Sequence, residues 1–354
     1  MSGQIPKPDA PSKLDELHER LVASVQALIA SDDWKHALEF AARFRSRSFN
    51  NTLLIWTQHL AAYESGNVAE PMPTYVAGFK QWQALGRSVV AGQHGYMIFA
   101  PQTGRFATST PSEPSSWRRL KPRERGRAGE VVRVGVVGTR PAYVWDVAQT
   151  VGQPVTELPR PELLKGSAPA GLWDGLAALI ELEGFALATA DDARSMGGAN
   201  GRTDFSTHCV TVRNDMDAAA RTKTLAHELA HIRLHGPAGE PLAHRGIGEV
   251  EAESVALMVA AAHGMDTQTY SIPYVAGWAS TVSNTDSVAV VQQTGERVRR
   301  AAVGILEQLR TDQISAGDPP GLNRARPGVA LPRASAPTHG PARPSDPSDV
   351  RSML

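Results

Sequence analysis

Between Ser12 and Arg45, the residues Leu14, Leu17, Leu21, Val25 and Leu28 recur at intervals of three and four, the repeat of a helix with one buried face. Ser31, Asp32 and Asp33 offer caps for a second helix starting near Trp34, because short polar side chains accept hydrogen bonds from the free amides of a first turn. A third apolar helix, TLLIWTQHLAAY, follows Asn51. The pattern then shortens to alternation. TYVAGF, GRSVVAGQHGYMIFAP, VVRVGVV and AYVWDV read as strands, with turns at Gly92–Gly95 and Gly138–Pro141. Gln102–Glu130 is long, polar and basic, and is expected to be a mobile insertion between two strands. The N-terminal part therefore reads as helices packed on a small, mostly antiparallel sheet.

Three prolines in Gly152–Gly166 mark a linker. A second unit begins near Pro169: helix (GLWDGLAALIELEG), strand (FALATA), a Gly/Asn-rich loop, strand (HCVTVR) and a helix containing TLAHELAHIRLHG. Another helix is expected from about Glu249 to His263, and a last one within Asn284–Arg310. Beyond Asp312 there are eight prolines and few large apolar residues. Such a segment cannot bury enough surface to offset its ordering entropy, so it is expected to be disordered. The expected organisation is α+β, with a first domain at 1–151 (insertion 102–130), a linker at 152–168, a second domain at 169–311 and a tail at 312–354.

Composition changes this picture in two places. No apolar run has the length of a membrane span, and the polar N-terminus lacks the apolar core of an export signal; the expected location is cytoplasmic. Cys209 is the single cysteine, which excludes an internal disulfide and a multi-cysteine zinc site. The net charge of zero hides an asymmetry: Arg43–Thr150 holds 14 Lys+Arg and 6 Asp+Glu, a balance of +8. A basic half in a neutral chain suits a polyanionic partner, although five of those charges fall in the one stretch RRLKPRER.

The candidate chemistry lies in H-E-x-x-H. Leu225, Leu229 and Ile232 make an apolar stripe, Asn214, Asp215 or Asp217 can cap the helix, and Gly236–Pro237 ends it. His227 and His231 are four apart, so both imidazoles leave one helix face and can share a zinc ion. Glu228 sits about 100° round the helix and is suited to take a proton from an activated water. His235 is eight residues beyond His227, about 12 Å along the axis, too far for one ion; the helix dipole favours it at the C-terminus. For a third ligand the segment GEVEAESVALMVAAAHG offers Glu249, Glu251 and Glu253. Val255, Met258 and Ala262 define its buried stripe, on which Glu251 falls while Glu249 and Glu253 point nearly opposite. A buried carboxylate needs a metal or a cationic partner, and the separation from His231 resembles that of gluzincins, so Glu251 is the expected ligand. Tyr270 and Tyr274 are weaker candidates for stabilising an oxyanion.

Two blocks carry a family resemblance: SFNNTLLIWTQ with PTYVAGFKQWQALGRSVVAGQHGYMIFAP, and TLAHELAHIRLHG with EVEAESVALMVAAAHGMDTQTYSIPYVAGWA. Together they resemble the ArdC-like antirestriction proteins of conjugative plasmids and related mobile elements. The resemblance implies an N-terminal single-stranded-DNA-binding domain followed by a zincin-like metallopeptidase domain similar to the ImmA/IrrE peptidases. It implies zinc as cofactor and single-stranded DNA and an unidentified protein substrate as partners. A DNA-binding face would join arginines on phosphates to rings under bases; Arg43, Arg45, Arg47, Lys80 and Arg87 are the candidate charges, and Phe49, Trp82, Phe79 and Tyr96 the candidate platforms. Two other readings compete: a DNA protector whose zinc site is structural, and a regulatory peptidase that cleaves a repressor.

Overall fold

The structure is a computed structural model that describes residues 12–30, 33–155, 166–236, 245–267, 279 and 286–322. These fall into two compact units, the first running to Pro101 and resuming at Thr139, the second spanning Gln102–Gly138. Among the described residues no helix is long and apolar enough to cross a membrane.

The first unit opens with α1 (Lys13–Ala30), α2 (Trp34–Arg43) and α3 (Phe49–Glu64). The α1 stripe is buried at Leu17, Leu21, Val25 and Leu28. The third helix starts earlier than its apolar run suggests, because the Ser48 side chain accepts from the Asn51 amide and caps it. Short strands follow: β1 (Val76–Ala77), helix α4 (Phe79–Ala84), β2 (Arg87–Val89) and β3 (Tyr96–Thr108). Strand β5 (Val131–Asp146) pairs antiparallel with β1, Val76 opposite Asp146, and β6 (Thr150–Gly152) pairs antiparallel with β2. The turn expected at Gly138–Pro141 is absent; β5 runs through it. Proline brings no amide donor, and β1 reaches only Trp145 and Asp146, so no ladder bond to β1 falls at Pro141.

The chain continues with α5 (Leu172–Leu182), β7 (Ala186–Ala190), β8 (Gly201–Asp204), β9 (Cys209–Arg213), α6 (Ala218–His235), α7 (Arg245–Ala262) and α8 (Ser287–Leu306). The sheet order is β7-β9-β8, with β9 parallel to β7 and antiparallel to β8. One apolar core joins α1, α2 and α3 to α5, α6, α7 and α8. The Trp34 indole of α2 donates to Ser254 Oγ on α7 at 3.1 Å. On α8, Gly295 has no side chain where a Cβ would lie 2.4 Å from the Phe49 ring, which lets that ring seat in the core.

In the second unit, the outer end of β3 pairs antiparallel with β4 (Arg118–Arg119), Phe106 opposite Arg119. Arg118 bridges Glu124 at 2.6 Å and Glu130 at 2.8 Å, so part of the basic segment is neutralised within its own loop. Residues 102–108 of the expected insertion are strand, not loop.

Residues 312–322, assigned by composition to a disordered tail, are packed. The Ile314 amide donates to Ala262 O at 2.8 Å, the Val76 amide donates to Gly317 O at 2.9 Å, and Asp318 lies 3.5 Å from Arg47. Proline-rich composition does not prevent a short segment from docking where backbone partners await it. The remainder of the expected tail, most of the expected linker, and Tyr270 and Tyr274 lie outside the described residues.

Candidate metal centre and aromatic face

Helix α6 is set by its caps. The Asp217 side chain accepts from the Ala220 amide at 2.7 Å, and Gly236 leaves the helix at φ +52°, a region that favours glycine. The H-E-x-x-H residues lie on this helix as its spacing predicts. His227 and His231 face each other across 3.0 Å between their Nε2 atoms. On the neighbouring α7, Glu249 lies 3.4 Å from His227 Nε2 and 3.7 Å from His231 Nε2. One ligand atom from each of these three residues lies within 4.8 Å of the others. Two imidazoles and a carboxylate form a donor set suited to a divalent cation such as zinc.

The expected third ligand was Glu251; the structure brings Glu249 to the rings instead. Glu251 is buried as its periodicity predicts, but it faces His235 at 3.1 Å and Arg297 at 3.2 Å. Periodicity places Glu251 on the buried side of α7 and does not fix which groups stand opposite it. Glu249, one turn before Glu253 and exposed on α7, is the carboxylate within reach of both rings. Glu253 shares that side of α7 and meets His227 from behind, 3.2 Å from its Nδ1. Lys223 Nζ lies 2.6 Å from the other Glu253 oxygen. Burial pushes the Glu253 carboxyl up, but hydrogen bonds from His227 and Lys223 outweigh it and hold the group ionised. An ionised carboxylate only accepts, so His227 Nδ1 carries the proton that is donated to it, and Nε2 turns to Glu249. Burial pulls the His227 imidazole down, yet the carboxylates of Glu249 and Glu253 more than offset this and push it up to about 9. Glu249 is held well below the usual carboxylate range by the two imidazoles.

Glu228 is buried and lines a cavity of about 370 Å³ with His227, Lys223, Asn200 and Gly201. Thr203 Oγ1 donates to Glu228 Oε2 at 2.7 Å. A Cβ on Gly201 would stand 2.5 Å from Glu228 Oε1, so only glycine leaves that oxygen room. Both residues come from β8, which is an edge strand of its sheet.

The expected DNA contacts divide sharply. Phe49, Trp82 and Tyr96 are core residues, and Arg47 is buried. Arg47 donates to Val76 O and pairs with Asp318. Arg45 donates to Ile314 O at 2.9 Å and Ala42 O at 3.1 Å. Arg87 donates to Thr150 Oγ1 and Thr150 O, each at 2.8 Å. These arginines brace the backbone, a use that composition cannot separate from phosphate binding. Arg43, Lys80 and Phe79 are exposed. Phe79 joins two residues missing from the expected set: its ring centroid is 6.0 Å from that of Trp145, which is 6.5 Å from Tyr143. Lys13 Nζ lies 5.8 Å from the Tyr143 centroid. The signal was present in AYVWDV, where alternation buries Val144 and Asp146 and turns Tyr143 and Trp145 to the other face.

The fold is thus α+β, with a candidate cation site between two helices and a partly exposed aromatic face. Over its N-terminal part the chain is ArdC-like: residues 13–135 match the N-terminal domain of anti-restriction factor ArdC. An uncharacterized protein of Bacillus anthracis is 26% identical over 273 residues, which cover 70% of this chain and 43% of that relative; this chain spans less than half of the relative's length. The metal-free crystal structure of the antirestriction ArdC protein from the R388 plasmid is 17% identical, with a TM-score of 0.48, covering 84% of this chain and 98% of that one. Its Mn(II)-bound crystal structure is 18% identical, with a TM-score of 0.49 and the same coverage.

Proposed function

We propose that this chain is an antirestriction protein that binds single-stranded DNA through its N-terminal part and hydrolyses peptide bonds at a zincin-like centre. The observation that carries the peptidase reading is the convergence of His227, His231 and Glu249 beside a cavity lined by Glu228. His227 and His231 through Nε2, with a Glu249 oxygen, would hold zinc. A zinc ion bound there supplies Lewis-acid polarisation of a carbonyl and a more acidic water. Glu228 is the proton carrier: Thr203 occupies Oε2, so Oε1 takes the proton of the attacking water and returns it to the leaving amine. The edge of β8 offers backbone pairing to an extended peptide. An idle structural site would need neither the cavity nor a braced carboxylate within it, which favours catalysis over the protector reading. The direct test is uptake: the full chain, stripped with chelator and dialysed against zinc, is expected to hold one equivalent by atomic emission. Less than a tenth of an equivalent sinks the reading.

For DNA, the supporting observation is the partly exposed ring cluster of Phe79, Trp145 and Tyr143 with Lys13 beside it. Tyr143→Ala and Phe79→Ala are each expected to weaken binding of a single-stranded oligonucleotide by about 1–3 kcal/mol. Fluorescence anisotropy at several salt concentrations measures this, and the salt slope should stay unchanged because no phosphate contact is removed. A changed slope with unchanged affinity would place the DNA elsewhere.

A further inference from the structure

Behind the candidate metal centre lies a line of polar groups, Glu251 buried and the others half-buried, that the proposed mechanism does not use. His231 Nδ1 is 3.1 Å from His235 Nδ1, on the same helix. His235 Nε2 is 3.1 Å from Glu251 Oε2 on α7, and Arg297 Nη2 on α8 is 3.2 Å from that same oxygen. Glu251 is 1% exposed, and its Oε1 has no hydrogen-bond partner among the described residues. A buried carboxylate with an orphan oxygen costs stability, so its presence on the core side of the centre calls for a reason.

Proton positions along this line follow from its far end. Arginine only donates, so Glu251 Oε2 accepts from Arg297. The oxygen that accepts from Arg297 also faces His235, so His235 Nε2–H is the donor to it. In a neutral imidazole a proton on Nε2 leaves Nδ1 a bare acceptor. His231 Nδ1–H then donates to His235 Nδ1, and His231 Nε2 keeps its lone pair. That nitrogen is the one that faces His227 and Glu249. The second imidazole thus receives through a histidine what the first receives directly from Glu253.

We propose that Glu251, held by Arg297 and acting through His235, is a positioning residue that fixes His231 with Nδ1 protonated and Nε2 open to a divalent cation. The inference rests on the metal-centre reading above and gives roles to two residues that are not themselves ligands. Partners of this kind set ring orientation and tautomer in metal sites, and their loss costs about 10- to 100-fold in metal affinity.

The test uses the full chain and zinc alone. In ¹⁵N-histidine-labelled, zinc-loaded protein, long-range ¹H–¹⁵N correlation is expected to show His231 metallated at Nε2 and protonated at Nδ1. Chelator competition is expected to show zinc binding weakened about 10- to 100-fold by His235→Ala and by Glu251→Gln. The double variant should lose little more than either alone, because both act along one path. Combination with Glu253→Gln should add its full effect, because that path ends on His227. His235→Gln, whose side-chain carbonyl can accept from His231, should recover part of the affinity. Metallation of His231 at Nδ1 would overturn the proposal, and that readout needs no variant to fold. So would unchanged affinity in His235→Ala, or loss of all zinc binding in Glu251→Gln alone, which would make Glu251 a ligand. A chain that takes up no zinc at all instead defeats the metal-centre reading itself.

Discussion

Glu228→Gln is expected to lower peptide hydrolysis by about 10²- to 10⁴-fold while zinc content stays at the level of the unaltered chain. Glutamine keeps the volume of the side chain and can still accept from Thr203 at the atom replacing Oε2. Its amide cannot take a proton at the position of Oε1. The measurement pairs cleavage of an unstructured protein with metal analysis on the same sample. Cleavage that persists with zinc present would remove Glu228 from the chemistry. Cleavage lost together with zinc would leave it a structural part of the centre.

The second large effect is expected from Glu249→Gln. A carboxylate that faces both Nε2 atoms contributes charge as well as a ligand oxygen, and glutamine retains only a weak oxygen donor. Zinc affinity should fall further than the about 10- to 100-fold typical of supporting groups, as read by chelator competition. A second signature needs no metal. Glu249 is foremost among the groups that push His227 up to about 9 against the downward pull of burial. Removing that charge should make His227 titrate lower in an NMR pH series of the metal-free protein. If His227 titrates as before and zinc binding is kept, Glu249 does not face the rings in solution.

The two candidate surfaces differed in how far their residues could be read along the chain. His227 and His231 share a face because four residues make about one turn of helix, and any amphipathic helix with these caps would place them so. The same local rule put Glu251 on the buried side of α7, which is where it lies. It said nothing of what stands opposite. Glu249, Glu251 and Glu253 each meet a different partner: the open side of the two rings, the pair His235 and Arg297, and the back of His227 with Lys223. Arginine is equally at home on a phosphate or capping a carbonyl, so Arg45, Arg47 and Arg87 could not be sorted by type. Trp82, an aromatic with a polar edge, sits in the core because its indole finds Trp145 O at 2.9 Å.

What the amino-acid order determined by itself is whatever depends on neighbours within a turn or two: the α1 stripe, the Asp217 cap, the alternation at the end of β5, and the pairing of His227 with His231 beside Glu228. Tertiary structure alone decided which carboxylate of α7 meets those histidines, which rings of the N-terminal part stay in water, and that α2 packs against α7 through Trp34 and Ser254. The reason is physical. Backbone periodicity sets the direction of a side chain relative to its own helix or strand, whereas the group it meets depends on the docking of another element, brought there by burial of apolar surface that carries no memory of sequence distance.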